Sequence, residues 1–415
     1  MDFSETSEQS QLYREIEIPF GFPEIFFSRT DTRGKIQAGN EVFQRISGYS
    51  WSELAGKPHN IIRHDGVPRA VFWLLWDRLK KGLQTGAYVK NKSKDGRYYW
   101  VYAIITPCEG GYLSVRIKPS SAIFGVAQAE YATLARMEAE ETLSPAESAM
   151  RLMARLTALG FETYDAFMAA SLSAEFSARD ANLQKAPRRT LALYERLMPS
   201  AAELLAAARQ ISEGYLTYRF VPLNLLVHAG QIGETGAAIA TISTNYNILS
   251  EEIEHGLDGF LQAARTVSHT INVGAFLLAT SYVQQEIASS FSTETPMDGV
   301  DHEVENAYLD QQRATYQAEA LKSLAGIEQE LKNFFGMISE MKRLASGLAA
   351  IRIMGKVESG RLSVAVVQDL IADLEAFQEI VQSGLSDILQ ANGALRMDTS
   401  RLLEAYATED APIPR

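Results

Sequence analysis

The chain predicts an α+β domain, a five-stranded antiparallel sheet with a helical cover, followed by an all-α region of helical bundle and coiled coil. Three features predict it. Up to Pro119, short runs of β-branched and aromatic residues alternate with turn residues; past Pro119 the strand signals stop; and the remainder carries Ala, Leu, Glu and Gln in long apolar rows at helical spacing.

Residues 24–30 read as a first strand, Asp31-Thr-Arg-Gly34 as its turn and residues 35–38 as a short partner, together a hairpin. From Asn40 the period becomes helical: Val42, Phe43, Ile46 and Tyr49 share a face, and Gly48 closes the helix. Ser50 and Glu53 are spaced as the capping box of a second short helix. A third, after Pro68, aligns Val71, Phe72, Leu75, Trp76 and Leu79 and ends near Gly82. Residues 88–92, 98–106 and 112–117 complete the sheet, joined through Lys94-Asp-Gly-Arg97 and Glu109-Gly-Gly111. A sheet covered this way on one face can leave a cavity beneath its helices.

In the helical remainder, Ile253, Leu257, Phe260, Ala264, Val267, Ile271, Gly274 and Leu278 step by alternating fours and threes, the seam of a coiled coil. The same rhythm returns at Leu324, Ile327, Leu331, Phe334, Ile338, Met341, Ala345 and Leu348, and again at Val367, Leu370, Leu374, Phe377, Val381, Gly384 and Ile388. Breakers fall at 177–187, 198–200 and 292–299. An isolated amphipathic helix is barely stable in water, so these rows must close on one another or on a second subunit. A bundle forming a homodimer through the helical region is the simplest expectation. The domain boundaries follow: 1–20 an N-terminal cap, 21–119 the sheet domain, 120–294 a helical signalling bundle and 295–415 a C-terminal helical hairpin.

Composition excludes several classes. A formal charge of −12 argues against nucleic acid, whose backbone must be met by clustered Lys and Arg. The single cysteine, Cys108, rules out an intramolecular disulfide and fits a reducing compartment. The first ten residues are acidic and polar where a secretory signal is basic and apolar, and no apolar run is long enough for a membrane span, so a cytoplasmic protein is expected. No Gly-rich phosphate loop, zinc-protease helix or phospho-accepting histidine motif is present, and no enzymatic activity is expected.

Asn40-Glu-Val-Phe-Gln-Arg-Ile-Ser-Gly-Tyr49, Gly56-Lys-Pro-His-Asn-Ile-Ile-Arg-His64, the helix with Phe72 and Trp76, Val89-Lys-Asn91 and Asp95-Gly-Arg-Tyr-Tyr-Trp-Val101 together resemble the PAS domain of bacterial aerotaxis receptors. The resemblance covers about a quarter of the chain. It implies FAD held without a covalent bond, and a report of redox state or oxygen to an output region. Carried over position by position, it implies a cofactor-binding set of Asn40, His59, Arg63, His64, Phe72, Trp76 and Asn91, with no catalytic or metal site. Two positions depart from the family's pattern. Arg63-His-Asp-Gly-Val-Pro68 brings the acidic residue one place early, to Asp65, and Thr85 stands where a Trp is usual.

The residue chemistry is consistent with a flavin, which needs a flat apolar slot, a few polar groups at the ring edge, and cations or backbone donors for its diphosphate. Phe72 and Trp76, four apart on a helix, can wall the ring; Asn91 can bond its amide edge; Arg63 offers a planar fork of donors to the diphosphate. The same residues also suit plain roles: aromatics as core, histidines as loop residues, Asn91 as a strand-edge amide. His59 or His64 as a haem ligand, and a cofactor-free scaffold, are the alternatives. Adduct photochemistry is not expected, because Cys108 lies far in sequence from Gly56, after which flavin photoreceptors of this fold place their cysteine.

For output, Leu223-Asn-Leu-Leu-Val-His-Ala-Gly-Gln-Ile-Gly-Glu-Thr-Gly236 and the helix after it resemble a degenerate signalling hairpin of methyl-accepting chemotaxis proteins, with a fainter echo at residues 353–360. The residues that bind kinase and adaptor in that family are absent, which leaves a protein signalling partner of unknown identity.

Overall fold

The computed structural model describes residues 16–409. The segment 1–15, expected to be polar and mobile, lies outside them. Five strands form the sheet: β1 (Phe26–Asp31), β2 (Ile36–Gly39), β3 (Thr85–Lys92), β4 (Tyr98–Cys108) and β5 (Gly111–Ile117). Their order is β2-β1-β5-β4-β3, all antiparallel, so β1, β5 and β4 lie inside, and β5 and β4 are buried on both faces. Strand β3 begins three residues before the expected 88, because Thr85, Gly86 and Ala87 pair with Ile105, Ile104 and Ala103. Gly86 and Ala87 carry little strand propensity, and the pairing is set by the partner strand.

Between β2 and β3 come α1 (Glu41–Ser47), α2 (Trp51–Leu54), a 3₁₀ turn (His59–Ile62) and α3 (Arg69–Lys80). Gly48 ends α1 at φ 72°, a left-handed conformation that favours glycine. Both the backbone N–H and the hydroxyl of Ser50 donate to Glu53, the capping partner the spacing called for. Ahead of β1, Ile16 and Ile18 bond the backbone of Tyr98, and Phe20 packs edge-on against Phe26. The apolar segment after residue 15 therefore does pack against the sheet domain.

Beyond Pro119 the described residues are helical: α4 (Ala122–Glu140), α5 (Pro145–Ala158), α6 (Tyr164–Asn182), α7 (Arg189–Tyr218), α8 (Val221–Ile232), α9 (Ala237–Phe291), α10 (His302–Leu362) and α11 (Ala365–Glu409). Pro199 was expected to break the chain; instead it sits inside α7. Buried Leu197, Ala201, Leu204 and Leu205 around it hold that helix by tertiary packing, which outweighs one lost backbone bond.

The chain forms two compact units. One comprises the described residues up to Ala192 together with Asn272–Lys322; the other comprises Leu193–Ile271 and the described residues from Ser323 on. In the first, the sheet lies between two layers. α1, α2 and α3 cover one face, while α4, α6 and the hairpin of residues 272–322 cover the other. Strand alternation divides the side chains accordingly. Phe27 meets Phe291 edge-on at 5.0 Å, Arg29 pairs with Glu305, and the Tyr102 hydroxyl donates to the Met168 carbonyl at 3.0 Å; Phe26, Ser28 and Arg116 face the other way.

The second unit is an antiparallel bundle whose seams pack within one chain. Phe260 stacks on Phe334 at 5.0 Å, Gly259 and Gly256 admit Met337 and Met341, and Gly214 and Gly384 admit Ile380 and Ile211. Two seam positions are corrected by one residue. Leu344 is buried where Ala345 was expected, and Ile371 where Leu370 was, since a straight helix of 3.6 residues per turn drifts from a strict seven-residue repeat. These rows require no second copy to bury them.

Candidate ligand-binding site

Beneath α3 and the 3₁₀ turn, the inner face of the sheet encloses a cavity of about 280 Å³. This is close to the lower end of the ~300–1,000 Å³ typical of small-molecule sites. Its walls are mostly apolar: Phe72, Leu75, Trp76 and Leu79 from α3, Val89 from β3, and Ala103 and Ile105 from β4. The helical spacing of the first four puts them on one side of α3, and the period of two along each strand brings Val89 with Asn91, and Tyr112 with Ser114 and Arg116, to the same sheet face.

Five of the seven residues singled out in the sequence line this cavity: His59, Arg63, Phe72, Trp76 and Asn91. The Arg63 guanidinium lies over the Phe72 ring at 3.7 Å, half-buried, and its pKa is lowered by that burial. Its backbone forms an isolated bridge with Asn91, which fastens the end of the 3₁₀ turn to β3. Trp76 is 36% exposed, meets Tyr112 edge-on at 5.6 Å, and lies over the hairpin turn at Gly34.

The other two are placed elsewhere. Asn40 is fully buried as the N-cap of α1; its oxygen accepts from the backbone N–H of Phe43 and Phe27, and its amide donates to the Ile25 carbonyl and to Glu294. All its hydrogen-bonding capacity goes into joining α1, β1 and residue 294. His64 turns the chain: its Nδ1 accepts from the Gly66 N–H at 2.9 Å, and its ring meets Tyr98 edge-on. The Thr85 hydroxyl donates to Met168 Sδ, and Cys108 lies at the end of β4, its thiol pushed up to about 11 by burial. Neither lines the cavity.

Arg116, Ser28 and His59 form a buried polar cluster in the wall. Arg116 Nη2 donates to Ser28 Oγ at 2.9 Å and lies 2.5 Å from His59 Nε2, which in turn is 3.0 Å from Ser28 Oγ. A guanidinium has no acceptor, so Nε2 accepts and the imidazole proton sits on Nδ1. Burial, reinforced by the Arg116 charge, holds the His59 pKa well below its ordinary value. Burial also pushes Arg116 down to about 10, which leaves it a cation near neutral pH. Two buried donors, Asn91 Nδ2 and Arg116 Nη1, have no partner among the described residues. Both belong to residues that line the cavity.

The sequence reading passed over Thr30, Asn60, Tyr112, Ser114 and Arg116 among the lining residues. A signal for the last three was present. Tyr112, Ser114 and Arg116 alternate with Leu113 and Val115, and an Arg on the inward face of a buried strand is an anomaly.

Residues 38–112 match the family described as the PAS fold. The front of the chain carries a PAS domain. Over 105 residues it is 40% identical to the aerotaxis receptor of Escherichia coli, a match covering 24% of this chain and 21% of that one. Over 112 residues it is 27% identical to the biofilm dispersion protein BdlA of Pseudomonas aeruginosa, covering 26% and 27%. Among solved structures, the LOV domain of a blue-light activated histidine kinase from Erythrobacter litoralis aligns at 15% identity and a TM-score of 0.21, over 24% of this chain and 94% of that one. The match thus spans about a quarter of the length of these two curated relatives or less. Among the described residues, no helix is long and apolar enough to cross a membrane.

Proposed function

We propose that this PAS domain binds FAD and reports its redox state to the helices packed on the far face of the sheet, in a sensor without catalytic activity of its own. The observation that carries the reading is the pair of buried donors without a partner among the described residues, Asn91 Nδ2 and Arg116 Nη1, in a cavity whose walls are mostly apolar. That combination fits a flat aromatic ring with acceptors along one edge. The resemblance to aerotaxis receptors, in a region 40% identical to one of them, supports a flavin as the ring.

Phe72 and Trp76 would wall such a ring, Asn91 would bond its edge, and Arg63, at the end of the 3₁₀ turn, would meet the diphosphate. A bound flavin supplies reversible electron transfer. The protein's part is to hold, orient and shield. Trp76 over Tyr112 closes one side of the cavity, while the neutral His59 fixes Arg116 by accepting a hydrogen bond from it.

The report to the helices is built on strand alternation. Ser28 faces the cavity cluster, and its neighbour Arg29 makes a two-pronged contact with Glu305, with Arg29 also over the Tyr308 ring at 4.5 Å. Ile105 lines the cavity, and its neighbour Thr106 donates to Gln312 at 3.1 Å. A shift of β1 or β4 by less than an ångström is therefore felt by the hairpin of residues 272–322, and such a shift biases an output where helix packing has two near-balanced arrangements.

The test is the absorption spectrum of the purified full chain. A flavin spectrum bleached by dithionite, with FAD released on denaturation, is the expected result. An intense haem band would select a gas sensor instead, and a colourless protein that takes up no added FAD would leave the cofactor-free scaffold.

A further inference from the structure

Arg116 is 2% exposed, yet its shell is neutral. Its contacts are Ser28, the Nδ1-protonated His59, and the faces of Phe26 and Phe43 at 5.7 and 5.4 Å. The titratable group that bears on it besides His59 is the buried phenol of Tyr99. No carboxylate among the described residues pairs with it. A buried guanidinium is ordinarily matched by an anion, because burial of an unpaired charge costs far more than a hydrogen bond returns. Cation–π contact with two rings offsets only part of that cost. Water in the cavity can satisfy Nη1 as a donor, but it leaves the charge unbalanced.

We propose that Arg116 selects the charge of the ligand: it favours a ring that is anionic or electron-rich at the edge it meets, and so raises the reduction potential of a flavin bound there. This rests on the flavin reading above. Reduction adds electron density to the ring, and a cation fixed in the wall stabilises that density without having to move or be desolvated at the moment of transfer. His59 is a positioning residue in this scheme, since its acceptor nitrogen holds the guanidinium in place. The sequence alternation that turns Arg116 inward leaves it no route to solvent, so the preference is built into the wall.

The experiment uses the full chain with added FAD, in wild-type, Arg116→Gln and Arg116→Lys forms, with the midpoint potential measured at pH 7 by dithionite titration against a reference dye. Arg116→Gln is expected to disfavour the reduced form at least about tenfold, a potential lowered by ~30 mV for a two-electron couple, and Arg116→Lys to recover most of it. The ligand-free proteins supply a second readout. Arg116→Met is expected to melt higher than wild type because an uncompensated charge is gone. An unchanged potential in Arg116→Gln with FAD still bound would overturn the inference and leave the flavin reading standing, as would a lower melting temperature for ligand-free Arg116→Met, the mark of a mere brace. Failure of the wild-type protein to take up FAD would overturn both.

Discussion

At the scale of the residue, His59 carries a consequence that needs no ligand. Its pKa in the folded chain lies well below the ~6.5 of a free imidazole, so below that pH the unfolded chain binds a proton that the folded chain refuses. Stability is therefore intact above about pH 6.5 and falls as the pH drops from there toward the folded value. Thermal melts from pH 7.5 to 5 should show this decline, and His59→Gln, which keeps an acceptor but cannot be protonated, should flatten it; parallel curves for the two proteins would remove His59 from the account. The aromatic wall makes a second prediction. Trp76→Ala removes one side of the cavity and Arg63→Ala its outer cation, so each should weaken FAD uptake about tenfold or more, consistent with the loss of one or two good contacts worth ~1.4 kcal/mol apiece. Full retention of FAD in both variants would refute the assigned pocket.

At the scale of the element, most of what could be read in the chain was periodic. Alternation located all five strands, and Gly48 and the Ser50–Glu53 box fixed the ends of α1 and α2. Spacing on α3 also brought Phe72 and Trp76 to one wall. The parts that escaped depend on who the partner is. The family resemblance implies a pocket role for Asn40, yet its amide bonds Glu294, which lies more than two hundred residues away in sequence. Alternation marks Arg116 as an inward-facing cation, but that no carboxylate among the described residues meets it is something only packing reveals. Pro199 reads as a stop, but buried neighbours carry α7 through it. Covering of the sheet's outer face by the hairpin of residues 272–322 was likewise illegible, and it yields a test. Arg29 and Glu305 are both largely buried, with side-chain exposures of 17% and 4%. Removing one partner strands the other, so Glu305→Ala should cost ~3 kcal/mol, whereas the joint change Arg29→Met with Glu305→Leu should recover much of it. Melting temperatures of the wild type and the two variants decide the matter; equal losses in the single and double variants would show that the pairing is not what ties the hairpin to β1.

At the scale of the whole molecule, two hydrophobic cores are built from interleaved lengths of one chain, since the sequence leaves the first unit at Ala192 and returns to it at Asn272 before leaving again after Lys322. Every residue that lines the cavity belongs to the first of these sets. Every seam contact between Phe260 and Phe334, or between Gly384 and Ile211, belongs to the second. A lesion in the bundle core should therefore be paid in stability and not in ligand binding. Phe260 is 1% exposed and stacked on Phe334, so Phe260→Ala should remove ~3–5 kcal/mol through lost burial and the void left behind. The expected result is a lower melting temperature with FAD stoichiometry and the flavin spectrum unchanged at 20 °C or about that, well below the transition. If FAD is lost while the fold persists by circular dichroism, the cavity depends on the bundle for its shape, and the division of labour drawn from the two cores fails.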